Sequence, residues 1–496
     1  MTYSDLEQRF KELGDLRHAQ AMLNWDEAVM MPTGGGRTRA ESMATLAAMA
    51  HRLITAGETA ELIEAAAAQD ELGPWQRANL REIKTIWRNA TALPESLVIA
   101  RSRASSLCEQ AWRTARPAHD WQSIEPLLTE VVELTRQVAT CLGEAAGLDP
   151  YDALLDQYET GVNQAMIDPI FAELKAFLPD FVEQVIAAQG SVHPFPKSIG
   201  AARQGNLGRA LMAKLGFDFE RGRLDTSHHP FCGGDPDDTR ITTRYDEQEF
   251  LSSMMAVLHE TGHALYQQGL PRQWRGQPVG NSLGAVIHES QSLLMEMQVC
   301  RSREFVEFAA PLIRQHLDEG SNDPAWDVDN LHRHSIRVAK GFIRVDADEV
   351  TYPLHVILRY ELERALLSGD LTVARIPEAW NEKMQAYLQI DTRDNLADGC
   401  MQDVHWFGGL IGYFPTYTLG ALTAAQLFAR AKLDEPGIEA SVAQGDFAPL
   451  LTWLRKNIHV KGALRQADEL IVEVTGAPLG TDAFRAHLQS RYLSAG

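Results

Sequence analysis

The residues best suited to chemistry are His259, Glu260 and His263, which form an H-E-x-x-H within the segment HETGH. Histidines four positions apart share one face of a helix, so both imidazoles can reach a single metal ion. The glutamate between them projects beside that ion, where it can take a proton from an activated water. The alternative is a pair of solvent-facing or core-satisfied histidines. A catalytic zinc needs three protein ligands and an open position. Glu289, in VIHESQSLLMEM on the next helical segment, supplies the third. Its apolar flanks Val286, Ile287, Leu293, Leu294 and Met297 weigh against an exposed helix glutamate. Glu296, two turns along, is either an acceptor for a ligand imidazole N–H or an ordinary surface glutamate.

These groups require a helix, and the stretch from Asp246 to Gly269 predicts one. Asp246 followed by Glu249 has the form of a capping box, with Tyr245 and Phe250 as an apolar staple across the entry. Gly269 and Pro271 end the helix, and Phe250, Met254, Leu258 and Leu265 give it a core-facing stripe. Ser252 and Ala256 keep the metal face open. Upstream, Thr239, Ile241, Thr243 and Tyr245 alternate as in a strand. That strand is placed either to add an extended peptide to a sheet edge or to form a small structural hairpin. Elsewhere the sequence predicts helix after helix. Ser4 with Glu7 reads as a first capping box, and amphipathic helical patterns cover 37–68, 72–91, 94–115, 121–146, 163–189, 301–318 and 326–340. The fold class is therefore mainly α. Length alone would allow about three domains, but no repeat or linker divides the chain, so 1–496 reads as a single domain.

Composition narrows the partners. A formal charge of −21 argues against nucleic acid or any other phosphate-bearing partner. No apolar run is long enough to span a membrane, and the N-terminal segment lacks the character of a signal peptide, which predicts a cytoplasmic protein. The five cysteines are widely spaced, without a C-x-x-C, and read as reduced thiols rather than disulfides or a structural zinc site. Two further sites stand out near the C-terminal end. Arg344 can clamp a carboxylate bidentately or pair structurally with Asp346 or Asp348. His405, Tyr413 and Tyr417 fall in a stretch dense in polar and aromatic groups, where they either line a pocket or are satisfied core residues.

The chain resembles the carboxypeptidase Taq family of zinc metallocarboxypeptidases along nearly its whole length. HPF at 229–231, DTRIT at 238–242, HETGH, HES at 288–290, IRVDAD at 343–348 and GCMQDVHW at 399–406 follow in the family's order. The position after TYTLG is Ala421, where the family's pattern leads one to expect asparagine. The resemblance implies a zincin-like helical peptidase with a deep groove flanked by two helical lobes, a small β-sheet beside the metal helix, one zinc per subunit and a homodimer. It further implies that His259, His263 and Glu289 ligate zinc, that Glu260 is the general base and that Arg344 receives a terminal carboxylate. His229, Asp238, Arg240 and Thr242 would shape the groove. The HW…TY segment is also similar to that of related oligopeptidases in which a His and a Tyr twelve residues apart face the reacting carbonyl. His405 and Tyr417 keep that spacing, which makes Tyr417 the expected oxyanion donor with His405 in support.

The expected reaction is zinc-dependent release of single amino acids from the C-terminus of peptides with broad specificity, with cobalt able to replace zinc. The closest rival is a helical zinc endo-oligopeptidase of short peptides, which lacks the carboxylate clamp. A di-iron carboxylate oxidase would need a second E-x-x-H, and the sequence offers only Asp15-x-x-His18. A metal-free peptide-binding pseudoenzyme is disfavoured by the intact ligand set and base.

Overall fold

Apolar residues recurring every three to four positions become helices along most of the chain. The computed structural model describes residues 2–196, 198–318, 320 and 323–493. The chain divides into two units, one made of Met1–Ala90, Gly190–Ile336 and Gly420–Leu479, the other of Thr91–Gln189, Arg337–Leu419 and Gly480–Gly496.

In the first unit, helix Tyr3–Val29 packs Leu6, Phe10 and Leu13 against Ile54, Leu62, Ile63 and Ile83. Its cap is not the predicted Ser4/Glu7 pair. The Asp5 carboxylate reaches back to accept from the Thr2 amide at 2.7 Å, starting the helix two residues earlier. The pattern over 37–68 divides into helices Gly36–Thr55 and Gly57–Ala67. The break has a local cause: the Thr59 hydroxyl donates to the Leu53 carbonyl at 2.8 Å, competing with the helical ladder of the last turn. The pattern over 326–340 yields only Val328–Ser335.

Three short strands follow: β1 (Gly222–Thr226), β2 (Phe231–Asp235) and β3 (Asp238–Thr243). Their spatial order is β1-β3-β2, with β1 parallel and β2 antiparallel to β3. The predicted strand is therefore the central one, paired on both sides, and cannot itself receive an added peptide strand. It packs on helix Phe250–Gly269, as does β2.

That helix starts three residues later than predicted, with Glu249 rather than Asp246 at its N-cap. Asp246 does not cap it: its carboxylate accepts from the Gln248 amide at 2.8 Å, heading a turn, while its own amide donates to the Ser253 hydroxyl. Nor does Tyr245 staple Phe250. Phe250 packs edge-on to Phe195 and against Trp326, while the Tyr245 hydroxyl lies over Gly205. The stripe of Phe250, Met254, Leu258 and Leu265 is buried as expected.

The second unit is built around helix Tyr352–Ser368, whose apolar residues Leu354, Val356, Ile357, Leu358 and Leu362 are all in the core. His355, Arg359 and Glu363 recur on it at four-residue steps, so they share one face. All three are fully buried. Such groups must find partners inside the protein.

Candidate functional site

His259 and His263 sit on consecutive turns of helix Phe250–Gly269, and Glu289 on the short helix Ala285–Leu293. The helices approach closely because Gly262, the glycine of HETGH, faces the second one. A Cβ there would lie 2.5 Å from the Gln291 carbonyl oxygen and 2.7 Å from the Ser292 Cα. The result brings one ligand atom from each of His259, His263 and Glu289 within 4.8 Å of one another. Glu289 Oε2 lies 3.4 Å from His263 Nε2 and 3.9 Å from His259 Nε2.

The remaining ring nitrogens are committed elsewhere. His259 Nδ1 donates to Glu296 Oε2 at 3.0 Å, and His263 Nδ1 donates to the His288 carbonyl at 3.1 Å. Neither acceptor can donate, so each neutral ring carries its proton on Nδ1 and its lone pair on Nε2. Glu296 is thus the acceptor that the sequence suggested. The structure adds Arg301, whose Nη2 donates to Glu296 Oε1 at 2.7 Å. The element that carries Glu296 is a π-helical turn, Leu294–Cys300, continuing directly from the Glu289 helix. Such turns are rare and recur at functional sites. The His288 ring stacks on His263 with centroids 4.2 Å apart.

The electrostatics fit a cation. Burial pulls the His259 imidazole down, yet Glu289 and Glu296 outweigh burial and lift it to about 10, so without a metal its Nε2 holds a proton whose place a cation would take. Burial pushes Glu289 up, but His259 and His263 hold it at about 2. Glu260 is raised, chiefly by burial, and its Oε2 is buried with no hydrogen-bond partner. Two imidazole lone pairs, a carboxylate and an orphaned acidic acceptor beside them suit a divalent ion that takes nitrogen and oxygen ligands together with water.

Of the residues expected to shape the groove, Asp238, Arg240 and Thr242 lie on β3 and His229 on the loop before β2. His229 is exposed. Asp238 and Arg240 pair with each other through both carboxylate oxygens, and the Arg240 guanidinium lies 4.4 Å from the Trp25 ring centroid. The Thr242 hydroxyl accepts from Ser227 Oγ and the Phe231 amide and donates to the His229 carbonyl. These contacts tie Thr242 to the loop that carries HPF.

The second unit gathers the other expected residues. Arg344 pairs with Asp403, not with Asp346 or Asp348 as its sequence neighbours suggested. Its Nε and Nη2 donate to Asp403 Oδ1 at 3.2 and 2.9 Å. Arg359 Nε donates to Asp403 Oδ2 at 2.7 Å. Burial would raise the Asp403 carboxyl, but Arg359 and Arg344 hold it far below the usual range. Asp348 instead accepts from the Ala339, Val350 and Thr351 amides. Arg344 also lies over the Tyr417 ring at 4.7 Å. His405 Nε2 is 3.3 Å from the Tyr417 hydroxyl, and His405 and Tyr413 stack with centroids 5.9 Å apart. Burial holds His405 neutral, with its pKa down at about 4 despite Asp403. Sequence reasoning passed over Asp403, although it stands two residues before His405 in a quoted motif.

Comparison with known proteins gives a consistent picture. The sequence profile described as carboxypeptidase Taq (M32) metallopeptidase matches residues 5–492. Thermostable carboxypeptidase 1 of Thermus thermophilus is 39% identical, over 99% of this chain and 98% of its own. Among solved structures, metallocarboxypeptidase 1 of Trypanosoma cruzi superposes with a TM-score of 0.96 at 40% identity, covering 99% of both chains. The M32 carboxypeptidase of Deinococcus radiodurans R1 does so with a TM-score of 0.93 at 33% identity, covering 99% of this chain and 98% of its own. Agreement of this extent in sequence and fold makes the chain a member of the carboxypeptidase Taq (M32) metallopeptidase family, a peptide hydrolase of the metallocarboxypeptidase class.

Proposed function

We propose that the metal is zinc, held by His259, His263 and Glu289, and that the enzyme removes single amino acids from the C-terminus of peptides. The observation that carries this reading is the commitment of both Nδ1 atoms to acceptors, with both Nε2 lone pairs left on the Glu289 side. When bound, zinc supplies Lewis acidity, which activates water and polarises a carbonyl. Glu260 accepts the water proton and passes it to the leaving amine. Its burial raises its basicity and suits both transfers. Tyr417 donates its O–H to the developing oxyanion, with neutral His405 in support. Cobalt, which accepts the same nitrogen and oxygen ligands, substitutes for zinc.

Arg344 receives the substrate's terminal carboxylate. Two buried guanidiniums face the single Asp403 carboxylate, which leaves one positive charge uncompensated by that pairing. Asp403 engages Nε and Nη2 of Arg344, leaving Nη1 outside its grip. An incoming carboxylate answers that charge, whereas an internal peptide bond does not. This favours the carboxypeptidase over the oligopeptidase reading.

The rest of the proposal is one catalytic domain over 1–496 with two helical lobes, peptide substrates rather than nucleic acid or membrane, a homodimer and a cytoplasmic location. Among the described residues, no helix is long and apolar enough to cross a membrane. Metal analysis of three proteins tests the ligand assignment. Wild type and Glu260→Gln should each carry one zinc, with Glu260→Gln almost inactive, while Glu289→Gln should carry little, because a neutral amide is a poor ligand. Full zinc in Glu289→Gln would move the third ligand elsewhere.

A further inference from the structure

The loop Trp406–Gly412 has no regular secondary structure, yet it separates His405 from Tyr413. Both of its ends are tied to one side chain. Trp406 Nε1 donates to Glu363 Oε1 at 2.8 Å, and the Gly412 amide donates to Glu363 Oε2 at 3.0 Å. Gly412 adopts a left-handed backbone (φ +89°), and a Cβ there would lie 3.1 Å from Leu154 Cβ, so the close approach depends on glycine. A third donor, the Tyr151 hydroxyl, comes from outside the loop and meets Glu363 Oε2 at 2.7 Å. Burial lifts the Glu363 carboxyl to about 7, and the three donors oppose that rise, since only the ionised form accepts from all of them. One turn earlier on the same helix, Arg359 holds Asp403.

We propose that Glu363 is a positioning residue for the reaction: by joining Trp406 to Gly412 it fixes the separation and tilt of His405 and Tyr413, and through His405 the Tyr417 hydroxyl. The inference rests on the reading of His405 and Tyr417 given above. A glutamine at 363 offers one acceptor oxygen where the loop needs two, so one end of the loop loses its anchor. Tyr151→Phe removes a donor to the same carboxylate but leaves both loop bonds in place.

The test compares Glu363→Gln, Trp406→Phe and Tyr151→Phe at pH 8, where Glu363 is ionised, by hydrogen exchange, zinc content and steady-state kinetics. Glu363→Gln and Trp406→Phe should exchange faster across 407–413 and lose kcat by roughly 10- to 100-fold, with KM and zinc content little changed. Tyr151→Phe should keep kcat within about threefold even if it melts earlier. Unchanged exchange in Glu363→Gln overturns the anchor. Equal kcat losses in Glu363→Gln and Tyr151→Phe reduce Glu363 to a core polar group and overturn the positioning role. His405→Ala separates the remaining case: if it is inactive while the loosened Glu363→Gln is not, only the positioning role falls. If His405→Ala turns over like wild type, the reading of His405 falls and the proposal falls with it.

Discussion

Two glycines govern how closely the proposed ligand Glu289 is packed. Gly262 admits the backbone at Gln291 and Ser292, and Gly420 admits the Glu289 side chain, whose Cγ would lie 2.9 Å from a Cβ at that position. Gly262→Ala meets backbone, which cannot swing aside, so the helix carrying Glu289 must shift. Overpacking of this kind costs about 1–3 kcal/mol. Its signature should be a metal affinity lower by roughly tenfold or more, measured by competition with a chelator. Wild-type affinity in Gly262→Ala would mean that the glycine serves only helix packing. Ala421, buried beside Gly420, has a methyl group and so cannot supply the amide that the family pattern led one to expect.

At the scale of elements, the π-helical turn Leu294–Cys300 links the ligand helix to Glu296 and Arg301. Glu296→Gln keeps an acceptor for His259 Nδ1 but discards the charge that Arg301 balances, and should weaken metal binding by roughly 10- to 100-fold. A chelator titration giving wild-type affinity would leave the turn a purely structural role. The sequence made Glu296 visible through its spacing from Glu289, but the π turn has no comparable periodicity. Arg301 could not be paired from sequence for the same reason. Helices were readable because each needs an apolar stripe every 3.6 residues. Their ends were less so, since one or two side chains decide them: Asp5 at the first helix, Thr59 at the break after Thr55, and Ser253 with Asp246 before helix Phe250–Gly269. The proposed metal ligands were legible as a group because two of the three lie on adjacent turns. Asp403 was not, because its partners Arg344 and Arg359 lie 59 and 44 residues away.

Across the whole molecule, three histidines outside the metal cluster are held neutral: the buried His355 and His459 at about 3 and the largely enclosed His405 at about 4, each chiefly by desolvation. Their folded-state pKa values lie below the ordinary value, so the stability they contribute is present above pH ~6.5 and is lost as the pH falls toward 4 and then 3. Each adds a slope of about 1.4 kcal/mol per pH unit, and Glu363, whose raised carboxyl has the opposite slope between pH 7 and 4.5, offsets roughly one of the three. Thermal melting of metal-free protein should therefore drop steeply between pH 6.5 and 4.5. A flat profile there would mean that these rings take up protons without unfolding the chain. Recognition of a free C-terminus is measured most directly by kcat/KM for one peptide as the free acid and as the C-terminal amide, with products followed by mass spectrometry. Wild type should shorten the acid one residue at a time and act poorly on the amide. Arg344→Ala should lose most of that preference, because the charge-assisted contact it removes acts only on the acid. Equal cleavage of acid and amide by wild type, or internal fragments as the first products, would mean that the enzyme does not read a free C-terminus.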